Sequence, residues 1–413
     1  KDPTTSTVST TGIRSDAGAG NNGIATTGDA GDVRVMAVGK LEINHGGLIS
    51  SDTFSSGAAG SVKTTAGSVT IDGRDSGNIF TGISSQANFT NANQGVTGNA
   101  GNVEVAATGN LSVLNDGRIS SSTRSSGDAG SVKVNAATLT IDGHGQISAA
   151  KTGILSNAES RSSGQTGSVL VSAHDRITLA NGGVLSIRND ATVANPGNLI
   201  PTTLTVNAPT ILLKNAEITA SSTGNVAASN VQANFSHLLA LDNSGITTSA
   251  YQGNGGPINI VGGNGRVLLD NAQVSTSVKG AAGNGGDIHL QAHTLIMNTG
   301  FIQANTAARN ASGGHVQIDV QALVPSGDTL FIGGQTPYTF QPGVFSFNVI
   351  QAAAPTGVSG VVQISSPLLD LSGALTGFNV QLLDSGGLGH HPCRITGGSS
   401  LVQTGRGGFA AEL

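Results

Sequence analysis

The chain has 413 residues, a formal net charge of −5, 61 glycines, one cysteine and no tryptophan. Charged residues make up 10 % and aromatics 3 %, too few for the outer faces of a helical bundle or for a basic nucleic-acid surface. A single cysteine excludes a disulfide framework, and no apolar run reaches the length of a membrane-spanning helix.

The first residues are rich in Thr and Ser. Thr11-Gly12-Ile13-Arg14-Ser15 matches the later phrase Thr81-Gly82-Ile83-Ser84-Ser85. The expectation is therefore a start inside a repeat array, with Lys1 opening a fragment or a processed product. No capping segment is legible at this end. Either an upstream domain continues the array or a second copy docks there. Gly18-Ala19-Gly20-Asn21-Asn22-Gly23 has the glycine spacing of dinucleotide-binding loops, but no helix follows to present amides to a pyrophosphate.

From residue 28 to residue 322 one phrase recurs nine times. It runs from a Gly-x-x-Gly turn through two alternating aliphatic pairs and an Asn or Asp to an aliphatic-Ser/Thr step. One copy is Gly127-Asp128-Ala129-Gly130, Val132/Val134, Leu139/Ile141, Asp142, Ile147-Ser148. The second pair returns as Leu41/Ile43, Val69/Ile71, Leu111/Val113, Leu139/Ile141, Ile177/Leu179, Ile211/Leu213, Leu239/Leu241, Val267/Leu269 and Leu295/Met297. The first is clear at Val33/Val35, Val103/Val105, Val132/Val134, Val169/Val171, Ile258/Ile260 and Ile288/Leu290.

Spacing i, i+2 puts each pair on one face of a strand. A period of roughly 27 to 41 residues with strand alternation inside it predicts a β-solenoid with negligible helix, each repeat being three short strands and three turns. Ten or eleven repeats at about 4.8 Å each give a rod of about 50 Å. The longer gaps carry insertions, and Thr81–Ser85 and Thr152–Ser156 are expected as loops thrown out on one side.

Asn44, Asp72, Asn115, Asp142, Asn181, Asn215, Asp242, Asp270 and Asn298 follow the second pair, with a one-residue slip in some copies. Stacked in register they form a ladder up one corner, a structural role that suits side chains bonding their own turn. Asp242 and Asp270 are the carboxylates expected on consecutive repeats, where repulsion would raise a pKa or hold a cation weakly.

Three further motifs fall short of chemistry. Gly262-Gly263-Asn264-Gly265-Arg266-Val267 has Val267 where a calcium-binding nonapeptide has its ligating Asp. His289 and His293 have the spacing of a zinc-protease helix but sit in a strand, roughly 13 Å apart. His390-His391-Pro392-Cys393 lacks a visible fourth ligand and is expected as a surface tail. Cys393 is a free thiol or an intermolecular link. No catalytic, cofactor-binding or metal residues are assigned.

The order of phrases resembles the filamentous-haemagglutinin-like exoproteins of two-partner secretion, in a branch found in cyanobacteria and other Gram-negative bacteria. The phrases are Gly98-Asn99-Ala100-Gly101-Asn102-Val103, Asn115-Asp116-Gly117-Arg118-Ile119-Ser120, and Thr70-Ile71-Asp72-Gly73 with Thr81-Gly82-Ile83-Ser84-Ser85. Ser366–Gly373 looks like that branch's last coil. Pro392-Cys393-Arg394, Ser399-Ser400-Leu401 and Gly405-Arg406-Gly407-Gly408 look like its terminal signature; Phe409–Leu413 departs from the usual proline-rich end.

The resemblance implies a right-handed parallel β-helix, exported through an outer-membrane partner pore and held at or released from the cell surface. The end of the repeats and a change of composition after residue 322 divide the chain into repeats at 1–322, distorted terminal coils or a cap at 323–377, and a C-terminal extension at 378–413 carrying Cys393 and Gly405–Gly408. The prolines and the Phe340/Phe345/Phe347 cluster suggest a loop over the open end of the rod. The expected function is a structural or adhesive rod, in adhesion, biofilm matrix or filaments, and not an enzyme. Surface glycans and end-to-end copies are the expected partners; nucleic acid is not. The alternative is a polysaccharide-binding or polysaccharide-degrading β-helix, which would need three or more charged side chains converging in an aromatic groove.

Overall fold

A computed structural model describes residues 11–18, 27–77, 79–89, 96–144, 151–326, 329–344 and 347–369. They belong to one compact unit, 1–376; residues 377–413 form a second unit that lies outside the described residues, Cys393 and the Gly405–Gly408 signature with it. The Gly18–Gly23 motif also lies largely outside them. The described unit is all-β. Its one helical element among the described residues is the 3-10 turn Pro196–Asn198.

All strand pairings are parallel among the described residues, and they fall on three tracks. On the first, Val33, Val62, Val103, Val132, Val169, Leu204, Val231, Ile258, Ile288 and Val316 stand in one column. On the second, Leu41, Val69, Leu111, Leu139, Ile177, Ile211, Leu239, Val267 and Leu295 do the same, so the repeated aliphatic pairs lie in register as expected. The column continues through Leu323 to Leu369, so the change of composition near residue 322 does not interrupt the pairing.

The third track is built from the aliphatic-Ser step. Its column runs Ile13, Ile49, Ile83, Ile119, Ile154, Leu185, Ile218, Ile246, Val274, Ile302, Ile350. The register of Thr11–Ala17 carries Thr11-Gly12-Ile13 onto Thr81-Gly82-Ile83 through Gly47–Ile49, which agrees with the likeness of the two phrases.

This track corrects one expectation. Thr81–Ala87 and Gly153–Ala158 are strands of the stack, not loops, and Ile83 and Ile154 are fully buried. Ile147-Ser148 lies outside the described residues, and Ile154 fills the place expected for Ile147. The extra residues instead precede these strands, in the connection after Asp72 and the one after Asp142. An aliphatic residue followed within a residue or two by Ser is too short a pattern to choose between candidates as near in sequence as Ile147 and Ile154. Burial of the column decides.

The three columns face one another and make a single continuous aliphatic core. One residue breaks its chemistry. Thr64 takes the inward place between Val35 and Val105, and its buried hydroxyl has no hydrogen-bond partner.

The corner between third and first tracks explains the Gly-x-x-Gly phrase. A Cβ on Gly60 would lie 2.3 Å from the Gly31 carbonyl oxygen, and one on Gly101 would lie 2.1 Å from that of Gly60. Gly130 and Gly167 repeat the relation. Glycine is required there by the backbone stacked beneath it. The second Ser of the Ile-Ser-Ser phrase closes the same corner from inside. Ser85 Oγ accepts from Gly101 N–H (2.8 Å) and donates to the Gly60 carbonyl (3.1 Å). Ser51 and Ser121 make the same bridge. From outside, Asp29, Asn99 and Asp128 each accept the backbone N–H of the next repeat, at 2.7 to 2.9 Å. A buried serine at a sheet corner is thus satisfied twice, as buried polar groups must be.

Residues 329–369 add the strands Thr329–Ile332, Phe347–Gln351, Val362–Ser365 and Leu368–Leu369. Phe347–Gln351 extends the third track, and Thr329–Ile332 pairs on its far edge. The segment between them folds back along the side of the third track, with Gly343 N–H on Asn271 Oδ1 at 2.8 Å. The loop expected over the open end therefore lies on a lateral face. Phe345 is outside the described residues.

Substituting Gly101→Ala should lower stability to urea by at least about 2 kcal/mol, because neither backbone can yield. Gly39→Ala, with nothing within 4 Å of the added carbon, should change it by less than about 0.5 kcal/mol.

Candidate binding face

Strand alternation sends every second side chain outward, and parallel register stacks these into columns. The expected Asn/Asp ladder divides into two adjacent columns. Asn44, Asp72, Asp142 and Asp242 end their strands, and Asp270 and Asn298 continue the same column inside the longer strands Arg266–Ala282 and Ile288–Thr306. Asn115, Asn181, Asn215, Asn243 and Asn271 come one residue later, each with φ between 47° and 50°. The apparent slip is the choice between these two places. Asn243 and Asn271, which the sequence pattern passes over, carry the ladder's second half.

Bonding in the ladder alternates in kind. Asn115 donates to Asp72 at 2.8 Å and Asn181 to Asp142 at 3.1 Å. Asn243 donates to Asn215, and Asn271 to Asn243 at 2.9 Å. Burial works against the Asp72 carboxylate, but the Asn115 amide, the Arg74 backbone N–H and the Arg74 charge hold its pKa below the ordinary value. Asp242 and Asp270 stack as expected. Lys214 Nζ lies 3.9 Å from Asp242, and Asp270 accepts from Asn298 at 2.7 Å. Each therefore has a compensating neighbour. No group of three or more metal-ligating residues occurs among the described residues.

The carboxylate with a raised pKa lies elsewhere, at Asp52 on the third track. Asp16 and Asp52 are register partners, with Arg14 2.8 Å from Asp16 and 3.9 Å from Asp52. Asp52 is 5 % exposed and its Oδ1 has no hydrogen-bond partner. Burial first, then the charge of Asp16, push its pKa up to about 6 against the pull of Arg14. Three charged side chains do converge here, but the inner one is sealed from solvent.

From Glu217 onward the outward side of the third track is open. A groove of about 660 Å³ runs past Thr152, Asn215, Glu217, Gly245 and Gln273 to Phe340. A second, of about 580 Å³, continues from Phe340 past Thr247, Ser275, Gln303 and Asn305. The wall between them is the folded-back segment. Phe340 meets Phe301 edge-on at 5.2 Å, and Phe347, Phe331 and Tyr338 complete the cluster. Gln303 Nε2 donates to the Tyr338 carbonyl at 2.8 Å, and Gln351 Oε1 accepts the Tyr338 N–H at 3.1 Å. Phe301 occupies the outward column of Glu217, Gly245 and Gln273. Nothing in its local sequence shows that a later segment covers it.

The remaining motifs take structural places. Phe235 lies over the Gly262 turn, where an added Cβ would be 2.0 Å from its ring, and Val267 is fully buried. His289 and His293 are both in the strand Ile288–Thr306, and His289 faces Asp319 at 3.3 Å. The His390–Cys393 cluster lies outside the described residues.

No protein-family model, curated protein or solved structure matches this chain.

The raised Asp52 pKa sets a sign. The protonated acid is the form the fold favours, so its stabilisation is complete below the ordinary value near 3.8 and is lost as pH rises through about 6. Above that the buried charge costs on the order of 3 kcal/mol. Asp52→Asn should raise the melting temperature at pH 7.5 but not at pH 3.5. At the ladder, Asn181→Leu should cost about 1–2 kcal/mol in urea unfolding, from the lost amide bond and the left-handed backbone.

Proposed function

We propose that the chain is a right-handed parallel β-helix with a structural and adhesive role at the surface of a Gram-negative cell. In this reading it is exported with an outer-membrane partner pore, as the filamentous-haemagglutinin-like exoproteins it resembles are. The observation that carries the proposal is the uninterrupted parallel pairing on three tracks between residues 11 and 369. Consecutive repeats can pair in parallel on every track only if the chain keeps winding in one sense, and crossovers between parallel strands are right-handed. Such a stack devotes its inward residues to a thin core and its corners to stacking, which leaves the sides for contact.

The open side is lined by amides and hydroxyls. Among the described residues of both grooves the one carboxylate is Glu217, 3.2 Å from Lys151. Glycoside hydrolysis uses two carboxylates, so the grooves favour holding a partner over cleaving it. End-to-end association of copies belongs to the same proposal.

Beads coated with the purified chain should attach to biofilm matrix more firmly than beads coated with a protein of equal charge. The same chain should release no reducing ends from β-glucan, chitin or pectin. Release that is abolished by Glu217→Gln would replace the adhesive reading with the enzymatic one.

A further inference from the structure

The two grooves meet at Phe340, and together they cross successive repeats of the third track. We propose that this cleft binds an uncharged, unbranched glycan laid along the stack. The inference rests on the adhesive reading above and names its ligand.

The first argument is spacing. Glu217, Gly245 and Gln273 share one outward column, and Thr219, Thr247 and Ser275 share the next. A ligand lying along the stack therefore meets an equivalent position about every 4.8 Å. That is close to the advance of one pyranose in an extended glycan. Along the Thr219, Thr247 and Ser275 column successive sugars would each find a hydroxyl in the same place.

The second argument is chemistry. Sugar hydroxyls both donate and accept, and so do hydroxyl and amide side chains. The first groove offers Asn215, Asn243 and Gln273; the second offers Ser249, Ser277 and Asn305. The ladder bond takes one N–H of Asn243 and leaves its second. Charge is nearly cancelled, since Lys151 and Glu217 bond each other at 3.2 Å. Lys279, in the second groove, is the remaining charged side chain among the lining residues. The lining has no arginine to grip a uronate or sulfate.

The third argument is the wall. Phe340 and Tyr338 present flat apolar rings suited to the C–H face of a pyranose. Phe301 packs against the Phe340 ring, and Gln303 and Gln351 hold the Tyr338 backbone. A wall fixed before binding loses little entropy on binding.

The test is isothermal titration of the full chain with cellohexaose and chitohexaose as uncharged probes and hexagalacturonate as the acidic one. At least one uncharged probe should bind saturably, and the acidic probe at least tenfold more weakly. Gln273→Ala and Phe340→Ala should each weaken binding at least fivefold, and Ser249→Trp should abolish it by filling the groove. Phe340 also packs on Phe301, so only variants with unchanged circular dichroism are compared, and Gln273→Ala carries the test if Phe340→Ala unfolds. Absence of binding by both uncharged probes overturns the proposal. So does equal binding of hexagalacturonate, or full binding by Gln273→Ala and Ser249→Trp. Beads that adhere to matrix while the chain ignores every probe would overturn the glycan cleft and leave the adhesive reading intact.

Discussion

The separation of hydrogen-bonded strands, about 4.8 Å, governs this molecule. Parallel pairing carries each repeat onto the next at that distance, and each side chain then stands directly against its register partners in the repeats on either side. Aliphatic residues gain from this by stacking into a core. Amides gain by bonding in chains, as Asn215, Asn243 and Asn271 do. Buried and like charges lose, as at Asp52, where burial first and then the charge of its register partner Asp16 raise the pKa. A composition poor in charge and rich in Ser, Thr, Asn and Gly follows from the geometry.

The same spacing explains the glycines. Where the chain turns from third track to first, successive backbones approach until a Cβ would overlap the carbonyl below. A serine from the third track then bonds the glycine N–H and C=O groups from inside, while an Asp or Asn oxygen accepts a neighbouring backbone N–H from outside. Glycine, serine and Asx residues far apart in each repeat thus form one corner. Substitution of the serine leaves the glycine N–H and C=O groups buried and unsatisfied, which is the expensive outcome.

Function, on the proposed reading, lives where this economy is interrupted. Residues 333–344 leave the stack and fold back over its side. They set Phe340 and Tyr338 beside a face of amides and hydroxyls and turn an open polar face into a walled cleft. Glu217, Gln273 and Asn305 are ordinary outward residues of their strands. They become a site only because Phe340 and Tyr338 are placed opposite them.

The sequence by itself determined the strand period, the two aliphatic columns and the existence of an Asx ladder, because these depend on residues a few positions apart. Leu41 to Leu295 fell in register because alternation within a strand and repetition between strands are both local signals. Only the tertiary structure decided which aliphatic-Ser step enters the third track, so that Thr81–Ala87 and Gly153–Ala158 are strands rather than loops. It alone separated the two Asx columns, because a one-residue offset depends on the register of the repeat below. It alone brought Phe340 onto Phe301 and Gln273 into their groove, since the return of a segment across earlier repeats leaves no periodic trace in the chain.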